Sequence, residues 1–318
     1  MPATSTTSRD PFGISFVTGA RRRASSIGLI AWSVRRTGAT AEQLRETASQ
    51  QSRAAAADPR PSVIVPAMWR IESAGVSAGR HPLDPAPLLT HPVPLPAQPI
   101  AHVGWATGVA QRLGFEAAVL KRALDDTTDD TFRDFCWDGI GADLLVHARP
   151  SFRILAHAIG IIGGGAEPPD RTAWFARFRA GLSGEEDRLV AHGLGRMVLV
   201  TQRNLRSALR EADRLPAEWR PHVVQGISFG LAMVNYADIS EILERSRHLD
   251  PEIAPPFHDG LVYALVFSEW LGRGLLASWK SRGAFEARLV ERARREAALN
   301  VTRGYPLPFS LSEPGPPR

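Results

Sequence analysis

The 318 residues contain one cysteine, Cys136. This excludes an internal disulfide and a zinc site built on several cysteines, and it fits a reducing compartment. Lysine is almost as scarce, since of 38 basic residues only Lys121 and Lys280 are lysine. The formal charge of +5 is spread over arginines that alternate with acidic and apolar residues, so the chain lacks the clustered basic face that nucleic acid requires. No apolar run reaches the roughly 20 residues of a membrane helix; His147, Arg149, Arg153, Glu269 and Arg273 break the longest ones. The stretch RRRASSIGLIAWSVRR has some features of a secretory signal, but its apolar part spans only about eight residues, more arginine follows it, and it lacks a small-residue cleavage site. A cytoplasmic protein with no nucleic-acid partner and no membrane span is expected. Nor does the chain alternate apolar and polar residues over lengths that build a sheet, a short strand at 62–65 being the one exception expected.

What is present is apolar helix. A hydrophobic share of 44% is enough to bury a full core. The pattern predicts a helix over 40–57 with Thr40 as its N-cap, and near-continuous helix from 102 to 299. Between them, prolines recur from Asp58 to Pro99, and HPLDPAPLLTHPVPLPAQP reads as an extended connector or lid over 81–99. The division expected is an irregular or short-helix region at 1–65, an α-helical domain at 66–300, and an extended tail at 301–318.

One signature recurs along that domain: IESAGVSAG (71–79), HVGWATGVA (102–110), WDGIGADLL (137–145), AHGLGRMVL (191–199), VQGISFGLA (224–232) and HDGLVYALV (258–266). Most neighbours stand about 30 to 36 residues apart, the length of a two-helix repeat. Each segment opens on a polar residue, then small residues, then an apolar run. Glycine inside a helix costs roughly 1 kcal/mol against alanine, so its recurrence on one face points to close helix approach. The fold expected is all-α, a helical-hairpin repeat array, solenoid or toroid, with a proline-rich N-terminal arm. That register would also stack Glu72, Asp138, His192, Gln225 and Asp259 along one side, with His102 nearby, either as solvated first-turn residues or as the lining of a polar concavity.

The segments MWRIESAGVSAG, IAHVGWATGVAQRLG, WDGIGAD, HGLGRMVLV, VVQGISFGLAMV and DGLVYALVFSEWLG, in this order over about residues 66 to 280, resemble the block series of the UnbL-like proteins of bacterial enediyne and related natural-product gene clusters. Departures from the family pattern are Ser73 at its first glycine, Ile140 at a usual aromatic, and His192 where glutamine is frequent. The resemblance implies a place in specialised metabolism. The positions that match it are Glu72, Asp138, Gly139, Gly141, Gly193, Gly195 and Arg196.

Other constellations compete. Asp125, Asp126 and Asp129 in DDTTDD have the spacing with which a helix presents carboxylates to Mg²⁺ on a diphosphate, and NYADISEILE faintly echoes a second metal motif at Tyr236, Ser240 and Glu244; the plainer reading is an acidic loop capping the next helix. Gly226-Ile227-Ser228-Phe229-Gly230 matches the hydrolase nucleophile elbow in letters, with Asp250 and His258 following, but the elbow needs a strand that the pattern does not provide. The glycines of GIIGGGAEPP precede prolines and no lysine, so they read as a connector rather than a phosphate loop. His258 and Asp259 are a candidate acid/base pair, His192 and Arg196 a candidate anion or carbonyl site one turn apart, and His102, His192 and His258 lack metal-ligand spacing.

The leading expectation is a specialised-metabolite biosynthesis protein that binds a long apolar polyene or isoprenoid and promotes its cyclisation or rearrangement, with Asp138, Arg196, Glu72, His192 and Asp259 as catalytic candidates. The alternatives are a Mg²⁺-dependent terpene cyclase using Asp125, Asp126 and Asp129, and a non-catalytic chaperone or partner of a polyketide synthase.

Overall fold

The computed structural model describes residues 41–80, 93–148, 171–202 and 205–303. All regular structure among them is helical. The α-helices are α1 Ala41–Ala57, α2 Pro61–Arg80, α3 Gln98–Leu113, α4 Ala117–Thr127, α5 Arg133–Ala148, α6 Arg171–Ala180, α7 Gly184–Thr201, α8 Leu205–Ala212, α9 Arg220–Val234, α10 Ile239–Arg245, α11 Ala254–Leu271, α12 Leu275–Ser278 and α13 Ala284–Arg303. No described helix is long and apolar enough to cross a membrane.

Local chemistry sets the helix starts. Ser183 caps α7 through a reciprocal box with Glu186, its hydroxyl accepting from the Glu186 N–H at 3.3 Å and its own N–H donating to Glu186 Oε2 at 2.6 Å. Helices α3, α9 and α11 each carry proline in the first turn, where a missing N–H leaves no bond unmade. For the same reason the proline-rich connector ends earlier than expected: Leu95–Ala97 form a 3-10 turn and α3 already includes Gln98 and Pro99.

The strand expected at 62–65 is a correction. Those residues lie in α2, whose Ile64 and Val65 are buried, and Pro66 continues the same helix. Burial between α1, α2 and α11 overrides the β-propensity of three adjacent branched side chains. The boundary expected at 65/66 falls inside α2, and α13 carries on past 300 to Arg303. Residues 1–40 of the irregular or short-helix region, with the expected Thr40 cap, and the part of the expected helical run at 149–170, with its glycine-rich stretch at 160–169, lie outside the described residues.

Six longer helices pack in sequence, α2 on α3, α3 on α5, α5 on α7, α7 on α9 and α9 on α11, and α11 reaches back to α1 and α2. One contact recurs at these interfaces. A methyl group on Gly104 would overlap the carbonyl oxygen of Glu72, on Gly139 that of Val103, on Gly193 that of Asp138, on Gly226 that of His192, and on Gly260 that of Gln225. Each glycine therefore sets its helix against the backbone of the one before it, closer than any side chain would permit. Leu44, Ile64, Trp105, Trp137, Phe135, Phe178, Trp219 and Phe257 fill the remaining interior and are essentially inaccessible.

Replacing Gly193 with alanine should therefore cost about 3 kcal/mol or more in urea unfolding, an overpacking strain that exceeds the propensity gain of alanine. Gly184→Ala, where an added methyl meets open space, should stay within about 0.5 kcal/mol of the parent. Equal losses for the two would show that the close approach at Gly193 is not under constraint.

Candidate functional site

The α5–α7 contact brings together residues 54 positions apart in sequence. With Gly193 against the Asp138 carbonyl, the Nδ1–H of His192 donates to Asp138 Oδ1 at 2.7 Å. One turn along α7, Arg196 places Nη2 at 2.9 Å from Asp138 Oδ2, so the two oxygens of one carboxylate hold an imidazole and a guanidinium. Across the interior, Nη1 of Arg196 lies 3.7 Å from Oε1 of Glu72 on α2. The outer faces of the group are aromatic. The guanidinium carbon of Arg196 stands 5.8 Å from the Phe229 ring centre, and His192 meets Phe229 and Tyr263 edge-on at 5.6 and 5.8 Å. Phe267 then joins Phe229 and Tyr263 to Phe135, which extends the aromatic wall.

Exposure divides the cluster into a back and a front. The His192 side chain is fully buried and that of Asp138 is 8% exposed, whereas Arg196 keeps 13% and Glu72 29%. Reagents from outside meet Glu72 and the edge of Arg196 first. Nε and Nη2 of Arg196 are buried without a hydrogen-bond acceptor among the described residues, the Nη2 approach to Asp138 being an ion pair outside hydrogen-bond geometry, so the donor capacity of the guanidinium exceeds what the protein supplies.

Protonation follows from the same geometry. Burial pushes the Glu72 carboxyl above the usual carboxylate range; the Arg196 charge opposes this and Asp138 adds to it. Burial also holds His192 below the ordinary imidazole value against the pull of Asp138. With Nδ1 carrying the proton, Nε2 is the acceptor nitrogen of the neutral ring. Burial works against the charge on Arg196, but Asp138 and Glu72 outweigh it and raise its pKa. Burial raises the Tyr263 phenol well above its ordinary value. The arrangement thus offers a fixed cation backed by Asp138, beside a carboxyl group that retains its proton more tightly than usual.

Four of the five residues expected to act together, Glu72, Asp138, His192 and Arg196, meet here. Asp259 does not. It pairs with Arg292 of α13 at 2.7 Å, while Tyr263, one turn further along α11, reaches the cluster. The acidic stretch is also set apart. Asp125 is 56% exposed and pairs with Arg133 at 2.9 Å, Asp126 is exposed, and Asp129 accepts from the Thr131 N–H at 2.7 Å as the cap of a 3-10 turn. This is a correction to the expected Mg²⁺ ligand set, since the three carboxylates cap and pair at the surface instead of converging on a cavity. Glu244 of the faint second motif accepts from the Glu286 N–H at 2.9 Å. Among the described residues no group of three His, Cys, Asp or Glu side chains is placed to hold a metal ion.

The remaining candidates have local partners. Ser228 lies inside α9 and donates to the Gln225 carbonyl at 2.9 Å, so Gly226–Gly230 is helix rather than an elbow. His258 donates through Nε2 to the Ser246 carbonyl at 3.2 Å, and His102 donates through Nδ1 to the Gln98 carbonyl at 2.7 Å. Phe229 and Tyr263 were missed by the sequence reading, although a signal exists. Each stands four residues after the polar leader of its segment, Gln225 or Asp259, as Arg196 stands four after His192. Comparison with protein-family models, with curated proteins and with solved structures finds no match to this chain.

The buried histidines give the fold a pH dependence of known sign. Burial lowers His102 from 6.5 to about 4, and it lowers His222 to about 4 as well. The unfolded chain therefore binds more protons between these values, and stability present above pH 6.5 is lost as pH falls toward 4. His102 alone should contribute about 3 kcal/mol of that loss. Urea unfolding measured from pH 7 to pH 4 should show a shallower decline in His102→Gln than in the parent, and an unchanged slope would contradict this assignment.

Proposed function

We infer that the protein binds an apolar substrate of the polyene or isoprenoid kind that carries one polar oxygen, and promotes its cyclisation or rearrangement in specialised metabolism within the cytoplasm. The observation that carries this reading is the convergence of Glu72, Asp138, His192 and Arg196 from three helices into one largely buried group walled by Phe229 and Tyr263. Arg196 takes the substrate oxygen, Glu72 donates or receives the proton, and Asp138 with His192 holds the guanidinium in place. The aromatic rings stabilise positive charge that develops on the carbon skeleton. The recurring glycine-to-carbonyl contact and the return of α11 to α2 support a repeat array closed like a toroid, and the place in metabolism rests on the resemblance to the UnbL-like proteins.

The test uses a fluorescent polyene, cis-parinaric acid, and its methyl ester. The acid should bind saturably and the ester at least about tenfold more weakly, the loss expected for one charge-assisted hydrogen bond. Arg196→Gln should remove this preference, while Arg292→Gln, at a pair outside the cluster, should keep it. Incubation with polyenoic acids and prenyl alcohols should yield an isomer of unchanged mass by liquid chromatography and mass spectrometry, and Glu72→Gln should not. Equal affinity for acid and ester, or an isomer formed equally by Glu72→Gln, would overturn the reading.

A further inference from the structure

Charge is unevenly divided along this chain. Residues 41–271 carry 23 basic and 28 acidic side chains, whereas residues 272–303, which hold α12 and α13, carry eight basic and three acidic ones. A protein with its charge separated in this way turns its positive side toward a negative partner. Part of the excess is used internally. Glu286 is fully buried and accepts from the Trp279 indole at 2.8 Å and the Arg282 N–H at 2.6 Å. Glu291 pairs with Arg294 at 3.3 Å, Asp259 with Arg292 at 2.7 Å, and Glu269 lines the same cleft as Arg273 and offsets it. Glu244 of α10 pairs with Arg247 at 3.6 Å. Lys280 and Arg282 in the turn before α13, and Arg288 and Arg295 on the helix, are left. All four are exposed and have no acidic partner among the described residues. Against the half-buried Glu296 they leave a surplus of three charges.

Helix geometry puts the two arginines on the outer face of α13, with Lys280 and Arg282 at the end where that face begins. The helix buries Leu289, Val290 and Ala293, and Arg288, Arg295 and Leu299 stand on the opposite side, seven and then four residues apart. Leu299 is 48% exposed. These side chains narrow the class of partner. Nucleic acid without sequence readout is held by basic side chains interleaved with aromatic rings on which bases stack, and the exposed residues around the arginines include Ala284, Ala287 and Ala298 but no ring. A protein partner needs an apolar centre, and Leu299 is the one large apolar side chain exposed on the described part of this helix. An anionic bilayer asks for less: basic side chains that reach its headgroups, with an apolar residue at the contact adding to the attraction.

We propose that the outer face of α13, with the turn before it, is a peripheral docking surface for a membrane rich in anionic lipid, where the four basic side chains meet the headgroups and Leu299 enters the interface. Docked there, the protein has access to apolar molecules dissolved in the bilayer. This consequence rests on the apolar substrate proposed above; the surface itself does not.

Cosedimentation of the full chain with lipid vesicles tests this. Vesicles of equal parts phosphatidylcholine and phosphatidylglycerol should carry the protein down, and phosphatidylcholine alone should not. Salt at about 1 M, where the Debye length is roughly 3 Å, should release it. The combined variant Lys280→Gln, Arg282→Gln, Arg288→Gln and Arg295→Gln should bind at least about tenfold more weakly. Removing the same charge from other helices, by Arg45→Gln, Arg53→Gln, Arg122→Gln and Arg210→Gln, should cost about twofold or less. Arg282→Lys, Arg288→Lys and Arg295→Lys together should bind like the parent, which separates charge from fold. Arg196→Gln should do so too, so this proposal and the reading of the cluster fail separately. Residues 1–40 also carry a net charge of +5, and binding that survives the four glutamine substitutions around α13 would place the contact there or elsewhere and overturn the proposal. A DNA or RNA oligonucleotide bound more tightly than the anionic vesicles would overturn it as well.

Discussion

A glycine on one helix set against a carbonyl oxygen on the helix before it is the contact on which the rest of this structure depends. It recurs from Gly104 on Glu72 to Gly260 on Gln225, and at each place any side chain would overlap the backbone it faces. The contact stabilises little by itself, and each glycine lowers helix propensity by roughly 1 kcal/mol. What it supplies is distance. With the backbones this close, side chains from helices far apart in sequence meet across the interior at hydrogen-bonding range.

Asp138 shows both halves of that relation. Its carbonyl receives Gly193, and its carboxylate receives His192 and Arg196 from the same helix. Burying a guanidinium with two carboxyl groups is expensive, and well-packed apolar residues would serve stability as well or better. The chain nevertheless retains the group with a graded exposure, nothing at His192 and 29% at Glu72. A purely structural ion pair has no need of an open carboxyl side. That gradient, with the raised proton affinity of Glu72, is the physical basis for reading the cluster as a place where chemistry occurs.

Much of this was legible in the sequence because helix period and glycine spacing are local properties. The described helices from 102 onward and the shared register of Glu72, Asp138 and His192, with Arg196 one turn beyond His192, follow from them. Where tertiary packing decides, local signals mislead. Val63, Ile64 and Val65 read as strand but are helical, with Ile64 and Val65 buried where α2 packs against α1 and α11. Asp259 shares the leading position with Asp138, yet it lies against α13 and pairs with Arg292. Asp125, Asp126 and Asp129 have ligand spacing, but Arg133 and the Thr131 N–H take two of the three. Phe229 and Tyr263 escaped notice because an aromatic residue on an apolar helix carries no polar mark, and only the four-residue offset from each leader reveals its direction.

The most direct measurement is a double-mutant cycle between Asp138 and Arg196. Unfolding free energies would be determined in urea for the parent, Asp138→Asn, Arg196→Gln and the pair. A close, buried charge pair in contact couples by up to about 3 kcal/mol, so the double variant should be more stable than the two single losses predict by an amount approaching this. Losses that add to within about 0.5 kcal/mol, as they do for independent sites, would mean that the two side chains do not meet in the protein and that the cluster built on them does not exist.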